Sequence, residues 1–146
     1  MRAVTRSVLI ARPAALVYDL INDIERYPEF VPGCVSARVI SSTRDEIVAA
    51  LGIKKGPLTL AFTTRNRLVP YSAIDMQLLE GPFKELTGGW QLTPVADSGC
   101  RATLGLRFAL SNVVTALVLE PLFEKIIADL VEAFVLRARQ LPTPSS

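Results

Sequence analysis

The chain has 146 residues, of which half are apolar and 21% are charged, and its formal net charge is +2. These values predict one globular domain, exclude a disordered or acidic-tail protein, and give no argument for general nucleic-acid binding. Histidine is absent, which excludes a His-based catalytic triad, a histidine general base and a histidine metal site.

The first thirty residues predict one strand and two short helices. Residues 4–10 have the composition of a strand, and Pro13 opens a helix that continues to about Asp23, because proline is favoured in the first helical turn. A second helical turn is predicted over residues 24–30. Pro32 and Gly33 end this turn and return the chain to a sheet.

Six further strands follow in series, joined by short turns. They are predicted over residues 35–40, 46–53, 58–68, 73–79, 83–92 and 100–110, with turns at 55–57, 70–71, 81–82 and 97–99. Alternation within residues 58–68 places Phe62, Thr64 and Asn66 on one face of the strand. Arg65 and Arg67 fall on the opposite face.

Residues 111–140 predict one long amphipathic helix of roughly 40 Å. Its apolar residues recur at intervals of three and four and share one face: Ala116, Leu119, Phe123, Ile127, Leu130, Phe134, Ala138 and Leu141. Pro121 either begins the main helix, with a separate turn before it, or kinks the helix. Strands in series with helices after the first strand and at the end predict an α+β fold with an antiparallel sheet.

The sequence predicts a cytoplasmic protein without a metal site or a catalytic centre. The nearly uncharged stretch at residues 113–119 is far shorter than a membrane span, and no signal-peptide core is present. Cys34 and Cys100 allow one disulfide, but reduced thiols are predicted because the compartment is reducing. Since they form no CxxC pair, they offer no zinc site. Asp19, Asp23 and Glu25 follow helical surface positions and do not converge as an acid–base pair.

Four polar or amphipathic features each have a ligand-binding interpretation and a purely structural one. Thr64 and Asn66 either bind a ligand or bond a nearby loop, because a buried amide needs a hydrogen-bonding partner. Trp90 either lines a cavity or fills the core. Arg137 either reaches a cavity mouth or extends past the helix end into water. The basic residues at outward positions or in turns either contact phosphates or form a solvated face: Lys54, Lys55, Arg65, Arg67, Arg101 and Arg107.

Several segments, in the same order along the chain, together resemble one protein family. They are residues 27–34 (YPEFVPGC), 62–66 (FTTRN), 81–84 (GPFK), 88–90 (GGW), 133–134 (AF) and 137–138 (RA). From about residue 6 to residue 141 the chain resembles the bacterial RatA proteins. These are grouped with the coenzyme Q-binding proteins in the START-like (Bet v 1-like, helix-grip) superfamily.

The resemblance implies a single START-like domain over residues 1–146, with residues 142–146 as a flexible tail. In that helix-grip fold a curved antiparallel sheet of about seven strands surrounds the long C-terminal helix, and two short helices follow the first strand. It implies a protein that is not an enzyme and requires no cofactor. Such a protein binds ubiquinone (coenzyme Q) or a similar lipid and supports respiration, or acts as a toxin that binds the 50S subunit and blocks 70S formation.

The two implied roles are compatible because they use separate surfaces. By position, the resemblance places eight residues around a ligand cavity: Phe62, Asn66, Trp90, Phe108, Phe123, Ile127, Leu130 and Phe134. Arg65, Arg67, Arg101 and Arg107 are the corresponding candidates for ribosome or phosphate contact. An antitoxin protein is an expected partner, whereas DNA and a membrane span are not expected. A polyketide (oligoketide) cyclase or aromatase is the alternative function, which the absence of histidine does not support.

Overall fold

A seven-stranded sheet and three α-helices form the described part of the computed structural model, which covers residues 2–96 and 98–141. The elements follow in the order β1 (Arg2–Ile10), α1 (Ala14–Asn22), a 3₁₀ turn (Ile24–Arg26), α2 (Tyr27–Phe30), β2 (Cys34–Ser42), β3 (Glu46–Lys55), β4 (Leu58–Val69), β5 (Ala73–Glu80), β6 (Phe83–Val95), β7 (Gly99–Leu110) and α3 (Val113–Gln140). The α+β class and the helix-grip arrangement predicted above are therefore confirmed.

The sheet has the strand order β1-β7-β6-β5-β4-β3-β2, and every neighbouring pair is antiparallel. Consecutive strands from β2 to β7 pair as hairpins, while α1 and α2 carry the chain from one edge strand, β1, to the other, β2. All seven strands lie where alternation and turn residues predict them. Two predicted features fall outside the described residues: Asp97 of the turn at residues 97–99, and the tail at 142–146.

Gly88 permits a close approach between β6 and β7. Its φ of 144° lies in a region that other residues rarely adopt. A Cβ atom at Gly88 would lie 2.0 Å from the carbonyl oxygen of Gly105. The glycine is therefore required where these strands pack backbone against backbone, directly beside Trp90 on the inner face.

Helix α3 is continuous and contains Pro121. The prediction of a helix over residues 111–140 is corrected at its start, because Asn112 is the capping residue and the first helical residue is Val113. The alternative prediction, in which the main helix begins at Pro121 after a separate helical turn, is wrong. The Asn112 side chain accepts hydrogen bonds from the backbone N–H groups of Val114 and Thr115 at 3.0 and 3.3 Å, so the helix begins two turns before the proline.

We expect Asn112→Ala to lower the free energy of unfolding by about 1 kcal/mol, since it removes this cap from two backbone donors. Urea unfolding followed by circular dichroism measures the change. Asn112→Asp keeps an acceptor oxygen and should stay close to the wild type. Equal losses in both variants would show that the cap is not what stabilises this helix start.

The two ends of α3 differ in burial. The segment from Phe123 to Ala138 packs its apolar face into the core, whereas Ala116 and Leu119 are only half-buried. In the first two turns Val113, Val114, Leu117 and Val118 are 63–82% exposed. The predicted stripe is thus a core surface only after Pro121. Although α3 is long, none of the described helices is apolar over enough residues to cross a bilayer.

Cys34 and Cys100 are free thiols, as predicted, and both are buried. Burial raises the pKa of each thiol above its ordinary value. Neither side chain is therefore poised as a nucleophile.

Candidate ligand cavity

A small cavity of about 90 Å³ lies between the inner face of the sheet and α3. Strands β3 to β7 form its floor, α3 covers it, and the 3₁₀ turn and α2 close one side. The described lining is mostly apolar: Ile24, Tyr27, Ala49, Leu51, Phe62, Thr64, Asn66, Met76, Leu86, Trp90, Leu104, Leu106, Phe123, Leu130 and Phe134. An apolar cavity with a few polar groups in its lining is a candidate ligand site.

Six of the eight candidate cavity residues line this space: Phe62, Asn66, Trp90, Phe123, Leu130 and Phe134. Phe108 and Ile127 lie in the core beside it. Phe108 is covered by Phe123, with ring centres 4.8 Å apart, so its ring packs behind the cavity wall. Ile127 is 4% exposed and packs in the core, but it does not line the cavity.

Other lining residues were not singled out from the sequence. Met76, Leu86, Leu104 and Leu106 have the inward parity of their strands, so alternation placed them on the correct face without marking them as lining. Tyr27 belongs to a four-residue helix, for which helical periodicity carries little information.

Thr64 and Asn66 place a polar pair in this apolar lining. Both are buried, at 7% and 6% exposure, and the Thr64 hydroxyl donates to the Asn66 amide oxygen at 2.9 Å. The Asn66 side chain thus has a hydrogen-bonding partner on its own strand and not in a nearby loop. Within the described residues, however, the Asn66 amide nitrogen has no hydrogen-bonding partner. Its two N–H donors are suited to an acceptor oxygen of a ligand or to water.

Aromatic rings make up two walls of the cavity. At one end Phe123 contacts Phe62 and Phe83, with ring centres 6.3 and 5.3 Å apart. At the other end Phe134 contacts Tyr27 and Trp90 edge-on at 5.3 and 5.6 Å. Trp90 is thus both core filler and cavity wall, and flat rings on both sides are suited to a flat ligand.

The cavity is too small for a complete ligand in this structure. At about 90 Å³ it is below the roughly 150 Å³ that holds benzene and far below the roughly 300–1,000 Å³ of typical ligand pockets. Any ring-sized ligand therefore requires part of the wall to move.

Tyr27 is the one ionisable group among the described lining residues. Its hydroxyl donates to the backbone oxygen of Ile21, and burial raises the pKa of this hydroxyl well above its ordinary value. The described residues also contain no cluster of three or more histidine, cysteine, aspartate or glutamate side chains placed to hold a metal ion. What the lining offers chemically is apolar contact and one amide.

Arg137 lies at the surface beside this wall rather than inside the cavity. Its guanidinium carbon sits 5.0 Å from the centre of the Phe30 ring, and its Nη2 atom is 3.6 Å from Glu29 Oε1. The arginine is half-buried and covers Phe30 from outside. It therefore adopts neither of the two predicted positions, because it does not enter the cavity and does not extend freely into water.

The four candidate ribosome-contact arginines lie on strands β4 and β7, at outer-face positions. Arg65 and Arg107 share one cross-strand row with Gln77 and Thr87 between them, a span of about 14 Å at roughly 4.8 Å per strand. Arg101 lies near the far end of β7. The arginines are therefore spread over the sheet and do not form one tight cluster.

Acidic residues accompany the arginines of β4. Arg65 Nε lies 2.9 Å from Glu46 Oε1. Arg67 is in register with Glu46 on one side and Asp75 on the other. Lys55, another of the basic residues considered above, turns toward the helix and pairs with Asp129 of α3 at 3.1 Å. The positive charge of the outer face is thus partly compensated.

Comparison with known proteins identifies clear relatives. The family model for polyketide cyclase/dehydrase and lipid transport matches residues 10–135. A ribosome association toxin RatA from Pseudomonas aeruginosa is 41% identical over 138 residues, which cover 94% of this chain and 96% of that protein. The mitochondrial coenzyme Q-binding protein COQ10 of Drosophila melanogaster is 25% identical over 97% of this chain and 60% of its own length.

A solved structure supports the fold assignment. The ZhuI aromatase/cyclase from Streptomyces sp. R1128 superposes with a TM-score of 0.86 at 19% identity, over 95% of this chain and 94% of that one. At this identity the likeness extends to the fold and not to the reaction.

Proposed function

Since the chain belongs to the RatA family of the START-like superfamily, we propose that it associates with the ribosome through the outer face of its sheet. The observation that carries this proposal is the 41% identity to a ribosome association toxin over nearly the full length of both proteins. In the form we propose, the protein binds the 50S subunit and hinders 70S formation. An antitoxin partner and a cytoplasmic location are further expectations of this role.

Binding to isolated subunits tests the first step. Purified protein is mixed with separated 50S or 30S particles and centrifuged through a sucrose cushion. We expect it to pellet with 50S and to stay in the supernatant with 30S. Equal pelleting with both, which is lost on raising the salt, would indicate only non-specific attraction to RNA and would contradict the proposal.

We propose as a second function that the inner cavity binds a neutral hydrophobic ligand of the quinone class. The buried Thr64–Asn66 pair supports this, because it offers an amide donor inside an apolar, aromatic-walled space. The similarity to a coenzyme Q-binding protein points to the same chemistry. A quinone has a flat ring and acceptor oxygens, which match the rings and the amide.

We expect Asn66→Leu to weaken binding of a short-tailed ubiquinone roughly tenfold, which corresponds to the loss of one buried hydrogen bond. Fluorescence quenching of Trp90, the single tryptophan of the chain, measures the affinity. The variant Thr59→Leu changes a polar residue of the same strand at an exposed position and should bind as the wild type does. Unchanged affinity in Asn66→Leu would contradict the role given to the amide.

A cyclase or aromatase reaction is the alternative to binding alone. The fold is shared with such enzymes, but the lining described above supplies no carboxylate, histidine or lysine to act as an acid or base. The one ionisable lining group, Tyr27, holds its proton because burial raises its pKa. We therefore propose that the protein is not an enzyme and requires no cofactor, with ubiquinone or a similar lipid as a bound ligand.

A further inference from the structure

A second, larger depression lies on the surface beside the cavity. This groove of about 470 Å³ runs between α1, the 3₁₀ turn and the C-terminal end of α3. Its apolar lining includes Ala15, Leu16, Leu20, Phe30 and Leu141. None of these residues lines the inner cavity, so the groove is a separate space in this structure.

The ring of Phe30 lies between the groove and the inner cavity. It lines the groove, and its centre is 5.5 Å from that of Phe134 and 6.2 Å from that of Tyr27. Phe134 and Tyr27 are themselves cavity-lining residues. Two layers of aromatic side chains therefore separate the two spaces, with Phe30 on the groove side and Tyr27 and Phe134 on the cavity side.

Of these three rings, Phe30 is the one that can move at least cost. Tyr27 is held by its hydrogen bond to Ile21, and Phe134 is only 1% exposed and packed between Tyr27 and Trp90. Phe30 is half-buried, is the last residue of a four-residue helix, and is covered from outside only by Arg137. A rotation of its side chain toward solvent displaces the surface Arg137 and removes one ring neighbour of Phe134, which can then shift into the vacated space and open the cavity to the groove.

We propose that the groove is the outer half of the ligand site and that the inner cavity, opened at Phe30, is the inner half. The ligand is then a small ring with an acceptor oxygen, held at Asn66, joined to a flexible apolar chain that lies along Leu16 and Leu20. This inference rests on the proposed ligand-binding function. It adds the entry path, the orientation of the ligand and the flexible apolar chain that the ligand carries.

The charges at the groove favour a ligand with a neutral apolar chain over a fatty acid. Arg26 is paired with Asp23 at 3.1 Å, and Arg137 lies near Glu29 at 3.6 Å, so both cations of the groove already have acidic partners. Asp19 adds a further carboxyl, whose pKa is raised by burial. A carboxylate ligand would meet these acidic groups without a free cation to offset them.

Filling the groove tests the proposal. Ala15 is exposed on α1 and lines the groove, so Ala15→Trp should occupy it without affecting the core. The probes are a ubiquinone with a two-unit isoprenoid tail and the same quinone without a tail. We expect Ala15→Trp to weaken binding of the tailed quinone roughly tenfold and to leave the tail-less quinone unchanged. Ala3→Trp, an exposed position on β1, is the matched control and should leave both affinities unchanged.

A second variant tests the path itself. Phe30→Ala removes the outer ring of the partition, which frees Phe134 to shift, and should raise the association rate of the tailed quinone several-fold in stopped-flow measurements. Wild-type binding of both quinones by Ala15→Trp, or an unchanged association rate in Phe30→Ala, would overturn the groove proposal and leave the cavity function intact. Failure of the wild-type protein to bind either quinone would overturn the cavity function, and the groove proposal with it.

Discussion

Phe134→Ala is expected to lower the free energy of unfolding by about 3–5 kcal/mol, the largest stability effect we predict in α3. Phe134 is 1% exposed and contacts three other rings, those of Tyr27, Phe30 and Trp90. Truncation leaves a cavity that these rings, which are attached to α2 and β6, cannot fill. Urea unfolding followed by circular dichroism measures the loss.

Leu136→Ala is the matched control, because Leu136 lies two residues away on the same helix but is 51% exposed. We expect its free energy of unfolding to change by less than about 0.5 kcal/mol. Similar losses in both variants would contradict the central packing role of Phe134. Phe134→Asp is a poor probe of ligand binding, since a carboxylate at this buried position is expected to unfold the protein.

Arg65→Glu combined with Arg67→Glu is expected to weaken binding to the 50S subunit more than tenfold, or more than about 1.4 kcal/mol. Glu46 and Asp75 already flank these positions in the sheet. The double substitution would therefore convert a compensated region into a purely acidic one, which ribosomal phosphates repel. Both side chains lie at outer positions, so the inner cavity should be unaffected.

Lys125→Glu combined with Arg139→Glu is the matched control for charge. Both residues are exposed on α3, on the helical side of the sheet, and the net charge changes by the same amount. We expect this variant to bind the 50S subunit nearly as the wild type does. If both double variants lose binding equally, net charge and not the outer face would determine association, and the proposed contact surface would be wrong.

The strands and their faces could be predicted because alternation has a period of two and the turns carry glycine and proline. Thr64 and Asn66 show the strength of this signal, since parity alone placed both on the inner face, where they are buried. The same parity could not separate Phe108, which packs behind Phe123, from residues that line the cavity. That distinction depends on where α3 crosses the sheet, which no local pattern encodes.

The start of α3 and the wall beside α2 were harder to predict for physical reasons. Pro121 is a helix breaker on its own, but the Asn112 cap and the contact of the Glu120 carboxylate with the Leu110 amide at 2.9 Å stabilise a helix on both sides of it. Tyr27 and Phe30 reach Phe134 only through the tertiary fold. Their role in separating groove from cavity therefore has no sequence signal.

The proposed central role is association with the ribosome, and its most direct test is a sucrose gradient of cells that overproduce the protein. We predict that free 50S and 30S subunits rise at the expense of 70S particles, and that the Arg65→Glu, Arg67→Glu variant at equal expression leaves the profile as in cells without the protein. An unchanged 70S peak in cells that overproduce the wild-type chain would contradict the role.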